Sequence, residues 1–456
     1  MENKKQKIHF IGIGGIGVSA LARYYLAQGA EVSGSDATEN EIIEDLRKVG
    51  AKIPPSPPFI KGGGIPDLVI YSAAVRKDNP ELVEARRRGI KCQKYAEALG
   101  ELTKQKYTIA VSGIHGKSTT TAMIGLMMER AGLDPTVIVG TKVREWGDSN
   151  CRVGKSRHLV IEADEYDRSF LNYWPKILVL LNIEEEHLDT YTGGLPDIMK
   201  TFGKYVSRLP EDGTLIVNEE DINIAKIKNQ KSKPQLKIQN YNSKAVDGLN
   251  LKITGQHNVS NANAALAVAR VLGIDEKIAI EALNNFSGTW RRMEYRGLVN
   301  GAKIYDDYGH HPTEIKATLA GARELVEGKG KLWCVFQPHQ YQRTYKLFDR
   351  FITAFDGADK TILLPIYSVS GREKASIKKM VSSEKLAEAI KTADSEQLTV
   401  SNNKEILYMK DFNETAAHLR KNLGAGDVCV IMGAGDINQL TGQLIKKHLT
   451  CFSAAV

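Results

Sequence analysis

Short apolar runs recur along the chain. Each is followed by a glycine or polar turn, then by a stretch with apolar positions three and four apart. The first run, Ile8–Ile11, leads into Gly12-Ile13-Gly14-Gly15-Ile16-Gly17 and a helical pattern through Gln28. Further strands are expected at Glu31–Gly34, which ends at Ser35-Asp36, and at Leu68–Ser72. Pro54–Gly64, PPSPPFIKGGG, reads as a loop. A strand at Tyr107–Val111 opens a second section containing His158–Ile161 and Ile177–Leu181. A third section starts near Arg296 and carries Lys331–Phe336, Thr361–Leu364 and Val428–Met432. This alternation predicts an α/β protein built on mostly parallel sheets flanked by helices.

Composition sets the scale. A chain of 456 residues exceeds one ordinary core. Its 42% hydrophobic and 25% charged content is that of a globular protein. No run approaches the roughly 18 apolar residues of a membrane-spanning helix. The start, MENKKQKIHFIGIGG, lacks the long apolar core of an export signal, so a cytoplasmic location without membrane insertion is expected. Five scattered cysteines form no CxxC pair, which argues against thiolate zinc and a disulfide framework. A net charge of +8 suits anionic small substrates. No basic run is interleaved with aromatics, so no nucleic-acid partner is expected.

The segment Thr108–Thr120, TIAVSGIHGKSTT, carries the most specific chemistry. An apolar strand enters a glycine loop, then Lys-Ser, then a helical run over Thr121–Ala131. Glycines let backbone N–H groups approach phosphate oxygens, and a helix N-terminus favours the negative charge. Lys117 would reach the β- and γ-phosphates, and the Ser118 hydroxyl would ligate Mg²⁺. The longer form of this motif would place a glycine at Val111, so the loop is a shortened GxxGKS. An incidental lysine in a tight turn would share the composition, but not this ordered succession. Glu162-Ala163-Asp164-Glu165 ends one expected strand, where a metal-holding acid belongs. His187 lies just past another.

The turn Gly12–Gly17 is a GxGxxG between strand and helix, with Asp36 about twenty residues on, the order of a diphosphate site. A dehydrogenase would have no use for the separate phosphate loop. A nucleotide-diphosphate sugar presents the same pyrophosphate and ribose.

Together these motifs resemble the Mur ligases, which join amino acids to a UDP-linked muramic acid. The resemblance runs from His9-Phe10-Ile11-Gly12 to Met432-Gly433-Ala434-Gly435-Asp436-Ile437. It implies three domains: a Rossmann-like UDP-sugar domain over 1–105, a central P-loop ATP-binding domain over 106–295, and a Rossmann-like amino-acid-binding domain over 296–456. Asp306-Asp307-Tyr308-Gly309-His310-His311-Pro312-Thr313-Glu314 and Phe336-Gln337-Pro338-His339 look like the branch that adds L-alanine first. The implied reaction couples UDP-N-acetylmuramate to L-alanine through an acyl phosphate, using ATP with Mg²⁺ or Mn²⁺, in a monomer or weak homodimer.

The resemblance also implies residue roles. Gly12, Gly14, Gly15, Ile16, Gly17, Asp36 and Ser72 would contact the UDP-sugar. Gly113, Ile114, His115, Gly116, Lys117, Ser118, Thr119, Asn258, Arg292 and Asp307 would contact ATP, Asn258 at the adenine and Asp307 at the ribose. Ser118, Glu162 and His187 would hold the metal. Tyr308, His310 and Arg343 would line the muramoyl and amino-acid site, with His310 positioning the amine or carboxylate. Lys117, Glu162, His187, Arg292 and His310 form the expected catalytic set.

Four departures stand out. Ile114 and Ser118 replace common threonines, Gln340 stands where many relatives carry arginine, and Pro54–Gly64 lacks the usual glycine-histidine stretch. Later members carry a carbamylated lysine where this chain has Phe202, so no carbamate is expected. The rivals are a branch that attaches a preformed peptide and a UDP-sugar-binding regulator that only hydrolyses ATP.

Overall fold

The computed structural model describes residues 5–54, 64–187, 190–229, 236–368, 376–396 and 404–452. Positions 55–63 of the expected Pro54–Gly64 loop therefore lie outside the described residues. Among the described residues three sheets flanked by helices form, in two compact units.

The first unit comprises 1–252 with 258–289 and contains two sheets. Strands β1 (Lys7–Ile11), β2 (Glu31–Ser35), β3 (Leu68–Tyr71) and β4 (Lys91–Lys94) pair in parallel in the order β2-β1-β3-β4. The second sheet uses β5 (Tyr107–Ser112), β6 (Thr136–Val143), β7 (Ser149–Arg152), β8 (His158–Glu162), β9 (Ile177–Leu180), β10 (Thr214–Asn218) and β11 (Lys237–Tyr241). Its order is β11-β10-β9-β5-β8-β6-β7, and only the β6–β7 pairing is antiparallel.

Helices cover both faces of the second sheet, so its central strands are apolar throughout instead of alternating. Ile109–Val111 and all four residues of β9 are buried. The helix Lys117–Arg130 packs on β6 and β8 and is buried from Ser118 to Met128. An apolar cluster from Ile8 to Leu236 joins the two sheets. Phe202 lies in it, against Phe170.

The second unit, 253–257 with 290–456, holds β12 (Glu294–Val299), β13 (Ala302–Asp307), β14 (Leu332–Phe336), β15 (Lys360–Leu363), β16 (Glu405–Tyr408) and β17 (Val428–Met432). Their order is β12-β13-β17-β14-β15-β16, parallel except at β12–β13. Separate apolar clusters cover its two faces.

Candidate active site

Strands β8, β5 and β9 are neighbours, and their C-terminal ends carry the chemistry. This is the crevice where open parallel sheets bind ligands. After β5 the chain turns through Gly113 (φ +144°) and Gly116 (φ +86°), and a Cβ at Gly116 would collide with Asn261. Asn182, just past β9, braces the loop. Its Oδ1 accepts from the backbone N–H groups of Ile114 (3.0 Å) and His115 (2.8 Å), and its Nδ2 donates to His115 O (3.0 Å). Those two N–H groups are therefore engaged. The groups left facing a ligand are those of the first helical turn, Lys117 to Thr119, which have no intrahelical acceptor.

Ser118 Oγ donates to Glu162 Oε1 (3.0 Å), and Gly140 N–H donates to Glu162 Oε2 (2.7 Å). The Lys117 ammonium donates to Gly113 O (2.8 Å), Ile114 O (3.1 Å) and Glu165 Oε2 (2.7 Å), and lies 3.6 Å from Asp164 Oδ1. The carboxylate beside His187 is Glu165: His187 Nε2 is 3.1 Å from Glu165 Oε1. Asp164, Glu165 and His187 each offer a ligand atom within 4.8 Å of the others. Hard oxygens with one imidazole fit Mg²⁺ or Mn²⁺. Glu165 is fully buried, and burial pushes its carboxyl up. Lys117 and His187 overcome this and hold it at about 2. For Glu162 burial prevails over Lys117 and raises the carboxyl. Burial would lower the Lys117 and His187 values, but the facing carboxylates keep both raised.

Glu165 and Asn182 were not among the expected site residues. Glu165 stands in the EADE stretch as one carboxylate of three, and Asn182 opens the stretch leading to His187. Only the pairing of the strand ends distinguishes them.

At the first sheet, the glycine turn is held from within. Gly12 and Ile13 N–H donate to Ser35 O (2.8 and 3.0 Å), Gly14 N–H to Asp36 Oδ2 (2.8 Å), and Gly15 N–H to Gly12 O (3.2 Å). Asp36 Oδ1 accepts from Thr38 N–H (3.2 Å), so this carboxylate braces the turn. An anion would find the first-turn N–H groups of the helix Ile16–Ala27. Ser72 follows β3, beside Gly12: its Cβ lies 3.0 Å from where a Gly12 Cβ would stand.

In the second unit, Tyr308, His310 and Arg343 are linked through His339. Ring centroids of Tyr308 and His310 are 5.7 Å apart, those of His310 and His339 6.1 Å, and Arg343 Nη1 lies 3.1 Å from His339 Nδ1. Arg292 sits 3.4 Å from Glu314 Oε1 and 5.4 Å over the Tyr308 ring. Asp307 is buried, accepting from Met293 N–H (2.8 Å) and Gly309 N–H (2.7 Å). Asn258, near the start of the helix Gln256–Leu272, accepts from Asn261 Nδ2 at 3.3 Å in the first unit. Gln340 takes φ +71° at the start of the short helix Tyr341–Lys346.

Three family models match in sequence order. They are "Mur ligase family, catalytic domain" over 7–107, "Mur ligase middle domain" over 111–247, and "Mur ligase, glutamate ligase domain" over 291–435. UDP-N-acetylmuramate–L-alanine ligase of Caldanaerobacter subterraneus subsp. tengcongensis is 38% identical, across 98% of this chain and 98% of the relative. That of Clostridium acetobutylicum is 38% identical, across 97% and 98%. The crystal structure of UDP-N-acetylmuramate-alanine ligase from Thermotoga maritima superposes with TM-score 0.79 at 28% identity, covering 98% of this chain and 99% of that one. A murein peptide ligase from Psychrobacter arcticus gives 0.69 at 25%, covering 97% and 98%. The chain belongs to the Mur ligase family.

Proposed function

We propose that the chain is an ATP-dependent ligase that joins L-alanine to the carboxylate of UDP-N-acetylmuramate in peptidoglycan precursor synthesis, in the cytosol. The geometry at the ends of β5, β8 and β9 carries this reading: a phosphate loop with Lys117 and Ser118 facing Glu165 and Glu162. Relatives of the same length and stated activity support the choice of substrates.

A carboxylate is resonance-stabilised and resists amines, so it must first become an electrophile. Transfer of the γ-phosphoryl group to the muramoyl carboxylate would form an acyl phosphate with a far better leaving group. Lys117 and Arg292 would stabilise charge on the group in flight. Asp164, Glu165 and His187, with Ser118 and Glu162 nearby, would hold a divalent ion, which supplies further charge neutralisation when bound. The alanine amine then attacks, phosphate leaves, and an amide remains. His310, Tyr308 and Arg343 would orient the amine and carboxylates. Residues 1–105 would hold the UDP-sugar, 106–295 the ATP and 296–456 the amino acid.

The test is phosphate release from ATP and Mg²⁺ with UDP-N-acetylmuramate and L-alanine omitted in turn. Release that needs both, with a product heavier by one alanyl residue, is expected. Release with neither leaves a nucleotide hydrolase, and a requirement for a preformed peptide refutes the alanine assignment.

A further inference from the structure

The first sheet contains a buried polar network that the phosphate chemistry does not use. His9 on β1 is 1% exposed, and Glu81 at the start of the helix Pro80–Arg87 is 5% exposed. His9 Nε2 lies 2.7 Å from Glu81 Oε2, and His9 Nδ1 lies 2.9 Å from Ser33 Oγ. Ser35 Oγ donates to Glu81 Oε1 at 2.5 Å. Glu81 is itself fixed, because its N–H donates to the Asn79 cap at 3.0 Å. Both carboxylate oxygens are thus engaged, one on β1 and one on β2. His9 thus links Glu81 through one ring nitrogen to the Ser33 hydroxyl at the other.

Burying a carboxylate and an imidazole is costly, and well-packed apolar side chains would hold such a site as well or better. Stability alone is therefore a weak reason for this arrangement. Its distinctive effect falls on Ser35, whose carbonyl accepts from both Gly12 and Ile13 N–H. The turn also lies tight on β2. A Cβ at Gly34 would come within 2.6 Å of the Ile13 side chain and 2.8 Å of Phe10 O. Whatever fixes Ser35 fixes the entry to the helix Ile16–Ala27, where an anion would meet the first-turn N–H groups.

We propose that Glu81, braced by His9, is a positioning residue for the UDP-sugar subsite: through Ser35 it holds the Gly12–Gly15 turn in the shape that presents the helix N-terminus to the diphosphate. This rests on the substrate assignment proposed above. Glu81 touches no reacting atom. Its loss acts on binding of one substrate and leaves the chemical step alone.

The experiment compares Glu81→Ala and Glu81→Gln with the unaltered full-length protein. It uses steady-state kinetics in each substrate, thermal unfolding, and amide hydrogen exchange at Gly12 and Ile13. Glu81→Ala orphans the Ser35 hydroxyl and His9 Nε2. The KM for UDP-N-acetylmuramate should rise about tenfold or more, on the scale of one buried hydrogen bond. The KM values for ATP and L-alanine, and kcat, should move less than about twofold, while Gly12 and Ile13 exchange faster. Glu81→Gln, whose amide offers both an acceptor and a donor to the two partners, should restore most of the affinity. The proposal is overturned by an unchanged KM for the UDP-sugar. Equal rises in all three KM values alongside a lowered Tm would also overturn it, as the mark of a merely structural residue. If the unaltered protein turns over no UDP-sugar, the substrate assignment falls. The exchange contrast then decides the brace by itself: faster exchange confined to the turn upholds it, and none refutes it.

Discussion

Replacing Lys117 by alanine removes one ammonium with two separable jobs. In the folded protein it makes hydrogen bonds to Gly113 O, Ile114 O and Glu165 Oε2 at 2.7–3.1 Å. Glu165 is fully buried, and Lys117 with His187 holds its carboxyl at about 2, well below the ordinary carboxylate range. Removing one partner of a buried pair costs about 3–5 kcal/mol. His187, still 3.1 Å from Glu165 Oε1, keeps the loss near the lower end. For turnover, the missing group is a preorganised positive charge on the transferring phosphoryl, worth about 10²–10³ in kcat or about 2.7–4 kcal/mol. Adding Glu165→Gln removes the orphaned charge, so the double variant should regain most of the stability and none of the rate. Urea unfolding measures the first quantity, and phosphate release at saturating substrates measures the second. Turnover of Lys117→Ala within tenfold of the unaltered protein would refute the active-site assignment. Recovery of the rate in the double variant would show that the defect was only one of folding.

Gly116→Ala forces a side chain into a left-handed turn, at about 1–2 kcal/mol, and into Asn261. The KM for ATP should rise at least about tenfold, and an unchanged value would mean that the loop does not hold the nucleotide. Arg343→Ala should raise the KM for L-alanine far more than that for ATP, and equal effects would remove Arg343 from the amino-acid site. Asp306 is buried on β13. Desolvation pushes it up to about 6 from 3.8, against the opposing effects of Thr441 and the Arg296 and Arg291 cations. The folded state then binds the proton more tightly than the unfolded chain. Its contribution to stability is complete below about 3.8 and falls away by about 3 kcal/mol as pH rises through about 6. Asp306→Asn should flatten the pH dependence of urea unfolding between pH 4 and 7, and an unaltered slope would refute the buried-acid account.

Most strands readable from the sequence are buried on both faces, the exception being Glu31–Ser35, a half-buried edge strand of the first sheet. Tyr107–Val111 and Val428–Met432 are apolar runs because helices cover them on either side. Two other edge strands gave no such signal. KCQK at β4 and KIQNY at β11 pair on one side only and carry exposed polar residues, which pattern reading takes for loop. The Gly-Lys-Ser sequence and Glu162 drew attention in the sequence because each stands at the end of an apolar strand, whereas His187 lies further past β9. The engagement of Glu165 by both Lys117 and His187 was not legible, since it depends on how β8 and β9 flank β5. Asp36 matched a ribose-binding acid by spacing, but spacing does not show that its two oxygens brace Gly14 and Thr38.

The order β9-β5-β8 also bears on how the protein reaches its working state. Val111 at the end of β5 pairs with Glu162 on β8 and with Val179 on β9, and Ser112 Oγ reaches Ala163 O at 2.9 Å. None of these partners is local, so the loop-closure entropy must be met before any of the contacts form, and such pairings are slow. Local helices such as Lys117–Arg130 need only their own turns and packing. During refolding, helical signal should therefore return well before ATP turnover. A nascent chain released before β9 would hold the lysine of the phosphate loop but have no finished place for a phosphate.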